Sequence, residues 1–325
     1  MTGHGAITEM VEMVEKGVVK RVAITGLNGF IGQHMIAPLT ELGYEIVGIG
    51  RSVAATYLAQ QVEWYRADLL QPGVPSTVIK AAQPTHLLHL AWYTEHGKFW
   101  QSPVNTAWVQ ASLELLRAFA EQGGRRCVFT GSCAEYDWRY GFLSESLTPL
   151  VPSTVFGRSK SALFEAASAF SEVAGMSFAS GRIFSLYGPG EAETRLVPHV
   201  ITSLLRGVPA RTSHGAQIRD FMHVSDVARA FAALLDSCAE GPVNIGSGEP
   251  VRLRDIIAEI AGMIGRPDLL EVGAIEAQPN DPPCLIADIR RLENEVGFIP
   301  TMALQSGLAE VIELCRRSES EAQVE

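Results

Sequence analysis

Short apolar runs rich in β-branched residues alternate with longer stretches of helical period along most of the chain. Arg21-Val-Ala-Ile-Thr25 is the first such run, and it leads without a break into Gly26-Leu-Asn-Gly29-Phe-Ile-Gly32. Met35, Ile36, Leu39 and Leu42 then recur at the spacing of one helix face. Residues 44–50 read as a second strand, and 63–69 as a third that ends near Asp68. Residues 85–91 are nearly all apolar, as expected of a central parallel strand buried on both faces. A helix over 104–122 and a strand over 126–130 follow. Pro152 with the pair Ser153 and Thr154 marks a helix start, and helical period runs on to residue 174 before a strand over 177–184. This alternation predicts an α/β fold with a doubly wound parallel sheet.

Composition narrows the class. The 325 residues are 47% hydrophobic and 19% charged, as in a soluble globular protein with a full core. A net charge of −10 argues against broad contact with a phosphate backbone, so no nucleic-acid partner is expected. Cysteines 127, 133, 238, 284 and 315 form no CxxC pair, which leaves no zinc ribbon, disulfide framework or other metal site to expect. Reduced thiols in a cytoplasmic protein are the simpler reading. No apolar run approaches the ~18 residues of a membrane span. The first twenty residues set Glu9, Glu12 and Glu15 among Met10, Val11, Met13 and Val14, a short amphipathic helix or lead-in unlike a signal peptide. The tail over 316–325 is expected to be disordered.

Candidate chemistry concentrates at strand ends. The glycines at 26, 29 and 32 let backbone turn tightly and approach a pyrophosphate, with helix amides beyond, so this stretch is read as a dinucleotide-binding loop. Arg51 stands just past the second strand, where an acid would grip the ribose of NAD and an arginine suits the 2′-phosphate of NADP. Ser52 supports the latter; NADP(H) is favoured, with NAD(H) possible. Asp68 could meet the adenine edge, and Leu90-Ala91-Trp92 would lie along the cofactor. The loop from Tyr93 to Trp100 contains His96, a lone histidine of a kind more often structural than catalytic. Ser132 falls at the sheet's C-terminal edge. Phe156 and Lys160, four apart, share a helix face. A lysine so placed can hold a cofactor and depress the pKa of a neighbouring acid, but the phenyl ring has no proton to give.

Together these residues resemble the extended short-chain dehydrogenase/reductase family, in its nucleotide-sugar epimerase, dehydratase and reductase branch. The resemblance rests on Thr25–Gly32, His89-Leu-Ala91, Ser132–Tyr136 and Phe156-Gly-Arg-Ser-Lys160 at the YxxxK position. It extends to Arg182-Ile-Phe-Ser-Leu-Tyr-Gly-Pro-Gly190, Arg219-Asp-Phe-Met-His-Val-Ser-Asp-Val227 and Asn244–Gly248. It implies a Rossmann domain over 18–186, with 219–246 returning to it, and a smaller C-terminal α/β substrate lobe over 187–325. The cofactor contacts it implies are Gly26, Asn28, Gly29, Phe30, Ile31, Gly32, Arg51, Asp68, Leu69, Leu90, Ala91 and Lys160. A nucleotide-diphosphate sugar would meet Arg219, Tyr93, Cys133 and Arg195, with Arg219 on the diphosphate; the structural alternative for Arg219 is an ion pair with Asp220 or Asp226. The stretch from Pro279 to Asp288 resembles the nucleotide-facing part of the second lobe. A homodimer packed through helices 104–122 and 156–174 is implied too.

In the family the lysine holds the nicotinamide ribose, a tyrosine relays the proton, and a serine or threonine orients the carbonyl. Here Ser132 and Lys160 match, whereas Phe156 takes the tyrosine's place. Phe156 is either a natural loss or a Tyr→Phe change of the kind made to trap substrate. Tyr136, Cys133, Tyr93 or His96 could substitute, and restoring tyrosine at 156 is expected to raise turnover by orders of magnitude. Cys133 and Ala134 cannot act as a dehydratase's acid pair, and Glu135 is expected to face away, which disfavours a 4,6-dehydratase. Arg51 tilts the remaining choice toward an NADPH-linked 4-ketoreductase of an NDP-(deoxy)hexose. The alternatives are an NDP-sugar 4-epimerase with tightly bound NAD and, from another class, a non-catalytic NAD(P)-binding regulator.

Overall fold

The computed structural model describes residues 19–52, 62–277 and 281–322, so the N-terminal stretch with Glu9, Glu12 and Glu15 and part of the Pro279–Asp288 motif lie outside the described residues. β1 (Lys20–Thr25) runs through the glycine loop into a turn of 3₁₀ helix (Gly32–His34) and α1 (Ile36–Glu41). β2 (Tyr44–Gly50), β3 (Glu63–Arg66), α2 (Val74–Ala82), β4 (His86–His89), α3 (Val104–Glu121) and β5 (Arg126–Ser132) follow. Next come β6 (Phe142–Leu143), α4 (Val155–Ala174), β7 (Ser177–Ile183), β8 (Ser185–Tyr187), α5 (Leu196–Leu205), β9 (Ala210–Thr212) and β10 (Ile218–His223). The chain ends with α6 (Val224–Asp236), β11 (Gly241–Ile245), β12 (Pro250–Arg252), α7 (Leu253–Ile264), β13 (Leu270–Val272), β14 (Cys284–Ala287), α8 (Arg290–Asn294) and α9 (Leu304–Ala322).

Seven strands form one parallel sheet in the order β11-β7-β5-β4-β1-β2-β3. The alternation within β1 decides how it is covered. Val22 and Ile24 face Met35 and Leu39 near α1 and Phe231 of α6, while Ala23 faces Leu116 and Phe119 of α3 and Leu163 of α4. The chain leaves β3 at one edge and re-enters at β4, beside β1. The strand order therefore reverses between β1 and β4, the crevice where open α/β sheets take ligands. α4 begins where the Thr154 hydroxyl accepts from the Gly157 amide and ends at Gly175, in the left-handed region.

The second lobe is built from short strands of distant origin. β12, β10, β14 and β6 lie side by side, with β8 also against β10. α5, α7 and α9 cover them through Val200, Ile201, Ile257, Ile260, Leu308 and Ile312. Two expectations change here. The strand carrying Arg219 belongs to this second sheet, and only α6 and β11 return to the seven-stranded one. The tail from Arg316 is helical through Ala322, because Leu308, Val311 and Ile312 anchor α9 to the lobe. Among the described residues no helix is long and apolar enough to cross a membrane.

Candidate active site

Gly26 opens the loop at the switch point with φ +75°, and a Cβ there would stand 2.8 Å from the Ala91 amide nitrogen. Its own amide donates to Ile49 O (3.1 Å), and Gly29 N donates back to Gly26 O (2.8 Å). Thr25 clamps the facing strand end: the Ala91 amide donates to its Oγ1 at 3.1 Å, and that hydroxyl lies 2.7 Å from His89 Nδ1. Ser112 Oγ donates to Trp108 O (2.7 Å) and so accepts from His89 Nε2 (2.8 Å); the Thr25 hydroxyl is then the donor to Nδ1. Burial, and second the Lys160 charge, pull the His89 pKa down to about 3, which keeps the ring neutral. Bare backbone held at the switch point fits a pyrophosphate. Asn28 Nδ2 ties this loop to Ser52 O (2.9 Å) and Oγ (3.2 Å). Phe30, Ile31 and Leu90 are half-buried around it, and Leu69 is buried. Beyond β2 and β3, Arg51, Arg66, Ala67, Asp68 and Gln71 line a depression of about 360 Å³, and Arg66 Nε donates to Arg51 O at 3.1 Å.

Ser132 ends β5 and caps a short 3₁₀ turn. Its Oγ accepts from the Ala134 amide (3.1 Å), and its own amide donates to Glu135 Oε1 (2.7 Å). Contrary to expectation, Glu135 turns inward. Arg182 Nε donates to its Oε2 at 2.8 Å, and both side chains are fully buried, since an acid in the core needs a cation. Arg182 also donates to the Tyr136 hydroxyl (3.1 Å), which donates to Asn244 Oδ1 (2.7 Å). With its hydroxyl so engaged and its pKa driven well up by burial, Tyr136 is no proton donor for the cleft. Burial pushes the Cys133 thiol up to about 12.

Lys160 is buried on the same helix face as Phe156. Its Nζ donates to Thr130 O (2.7 Å) and Oγ1 (3.3 Å) and lies 3.7 Å from the centroid of the Trp92 ring. Desolvation pulls its pKa down to about 7, opposed by the charge of Glu135. The Phe156 ring meets Phe99 at 4.9 Å, Trp100 at 5.7 Å and Trp92 at 6.4 Å between centroids, each edge to face. The position that lacks a hydroxyl is thus enclosed by aromatic rings.

The outer residues are more dispersed. Tyr93 packs against the cluster around Phe156 and its hydroxyl donates to Glu95 Oε2 (2.9 Å), and His96 lies within electrostatic reach of Arg195. Arg195, just before α5, holds its guanidinium carbon 5.8 Å from the Phe99 ring centroid. Arg219 pairs with Asp281 (2.6 Å), and its charge reaches Cys133. Neither neighbouring acid is its partner. Asp220 accepts from the Ser247, Gly248 and Ala287 amides, and Asp226 from those of Thr301 and Met302.

Sequence pattern passes over Arg66 and Glu191 and gives Asp281 only as part of the stretch from Pro279 to Asp288, with no role of its own. Glu191 and Glu193 stand in one polar loop, and only the first turns inward: its Oε2 is buried with no hydrogen-bond partner among the described residues, while the Glu193 side chain is two-thirds exposed. The one available signal is the Gly188-Pro-Gly190 turn that precedes it.

The profile of the NAD dependent epimerase/dehydratase family matches residues 22–246. CDP-abequose synthase of Salmonella typhimurium is 27% identical over 90% of this chain and 97% of its own length. UDP-glucose 4-epimerase of Corynebacterium glutamicum is 25% identical over 86% of this chain and 91% of its own. Among solved structures, MoeE5 in complex with UDP-glucuronic acid and NAD is similar with a TM-score of 0.79 and 30% identity, over 92% of this chain and 99% of that one.

Proposed function

The chain belongs to the NAD dependent epimerase/dehydratase family, and from that premise we propose that it works as an NADPH-linked 4-ketoreductase of a nucleotide-diphosphate deoxyhexose. The observation that carries the reading is the pair Arg51 and Arg66 around the depression beyond β2 and β3, which suits a 2′-phosphate. NADPH is consumed as a stoichiometric reductant, whereas an epimerase returns its hydride. The likeness to CDP-abequose synthase supports a synthase of a modified sugar. When bound, the nicotinamide supplies a hydride. Lys160 holds the neighbouring ribose, Ser132 orients the sugar carbonyl, and the guanidinium of Arg219 grips the diphosphate. In the same reading, two subunits pair through α3 and α4 and the enzyme works in the cytoplasm.

A 4-epimerase is the second reading, favoured by the NAD bound in MoeE5 and by the likeness to UDP-glucose 4-epimerase. One set of measurements separates them. Calorimetry with UDP, GDP, CDP and dTDP identifies the nucleotide, and oxidation of NADPH and NADH is then followed with the matching 4-keto sugar. The reductase reading expects NADPH to be preferred and Arg51→Glu to reverse the preference. Copurified NAD with sugar interconversion and no net oxidation would establish the epimerase. Cofactor binding without any nucleotide-sugar binding would leave a regulator.

A further inference from the structure

With phenylalanine at 156 the reduction needs another acid, and the groups nearest that ring offer none. Phe99, Trp100 and Trp92 close on it, Tyr136 is held by Arg182 and Asn244, and Tyr93 is bonded to Glu95. Glu191 is different. Its buried Oε2, without a hydrogen-bond partner among the described residues, favours the neutral carboxylic acid over the carboxylate. Its loop is fixed to the cofactor side of the molecule. His34 Nε2 lies 2.9 Å from Pro189 O, Gln33 Nε2 donates to the same oxygen at 3.4 Å, and a Cβ on Gly190 would stand 1.9 Å from Gln33 Nε2. Gln33 and His34 belong to the helical turn directly after the glycine loop. On its other side Glu191 feels the charge of Arg195, whose guanidinium lies against Phe99, and Phe99 in turn touches Phe156. Arg195 and Phe99 thus lead from the Glu191 carboxyl to the ring at 156.

We propose that Glu191 is the acid that protonates the sugar carbonyl oxygen, in place of the tyrosine that position 156 lacks. This rests on the reductase reading above. The carbonyl carbon gains a hydride from the reduced nicotinamide and forms the new C–H bond. Its π pair moves to oxygen, which takes the proton from the Glu191 carboxyl, so the sugar is reduced and the cofactor oxidised. The carboxylate left behind faces Arg195 and regains a proton from solvent once product leaves. The titratable and charged groups around this loop are Arg195 just before α5, His34 beside Pro189, His96 beyond Arg195, and Glu193 in the loop itself, which turns outward to Arg206. Desolvation raises the Glu191 pKa to about 8, opposed by the charge of Arg195 and by a backbone hydrogen bond from Gly188, so the acid form persists at neutral pH.

The test compares the wild type with Glu191→Gln and Glu191→Asp, using NADPH and the accepted 4-keto sugar nucleotide. No oxidation by the wild type would sink the reductase reading itself. Given turnover, Glu191→Gln is expected to lower kcat by ~10²–10⁴-fold with little change in KM and to lose the alkaline limb near pH 8. Glu191→Asp keeps the limb while losing rate, and decides the matter should the glutamine variant not fold. A kcat for Glu191→Gln close to wild type, or a defect confined to KM, overturns the proposal. A second readout needs no turnover. A carboxyl whose folded pKa is raised makes stability fall as pH rises from its unfolded value to about 8, so cofactor-free wild type loses melting temperature over that window and Glu191→Gln loses less. Superimposable profiles would likewise overturn it.

Discussion

Lys160 sits under the Trp92 indole with one backbone carbonyl and one hydroxyl as acceptors, and burial makes its charged form expensive. Its folded pKa of about 7 lies well below its ordinary value of 10.5, so between those values the unfolded chain binds more protons than the native one. Wild-type stability therefore rises with pH through that window. Lys160→Met, which removes the titration, is expected to gain most relative to wild type below pH 7 and progressively less above it; urea midpoints at pH 6 and pH 9 measure the difference. The spacing of Phe156 and Lys160 made their shared face legible in sequence. The rings that enclose Phe156 were not, because Trp92, Phe99 and Trp100 come from a loop whose path periodicity does not describe. Glu191 was hidden for a related reason, since burial of one of two loop acids depends on the clamp to Gln33 and His34. With Glu191 as the acid, Phe156→Tyr alone adds little, in place of the orders of magnitude expected from the sequence. In a Glu191→Gln background it is expected to recover turnover, because the hydroxyl returns one turn from Lys160.

At the scale of elements, Ser132 is placed by what lies beneath it. Glu135 receives the Ser132 amide on one oxygen and Arg182 of β7 on the other, so the end of β5 is fixed through a buried ion pair. Arg182→Met would leave that carboxylate uncompensated and is expected to cost about 3–5 kcal/mol of unfolding free energy. Adding Glu135→Gln should return much of it, as denaturant titration of the single and double variants would show. The strands of the large sheet were legible as apolar runs because parallel strands buried on both faces carry no polar alternation. The second sheet was not. β6 and β8 are two and three residues long, too short for any period, and their partners lie as far off as β14.

For the molecule as a whole, the two lobes meet where Arg219 of the second sheet reaches Cys133, next to Ser132 of the first. Arg219 is already paired with Asp281, 62 residues on, a partner that local sequence could not reveal. In the proposed reading, a diphosphate displaces that carboxylate before it uses the guanidinium. Asp281→Asn is expected to tighten nucleotide-diphosphate binding several-fold, measured by calorimetry, while leaving cofactor affinity unchanged. The bond between Pro189 and the turn after the glycine loop has a kinetic side. In the proposed reading, a dinucleotide seated in the glycine loop steadies Gln33 and His34, and through them the loop at Pro189. Addition should then be compulsory-ordered, dinucleotide leading and sugar nucleotide following. For a reductase, product inhibition would then have the oxidised dinucleotide compete with the reduced one alone, and the reduced sugar nucleotide compete with neither.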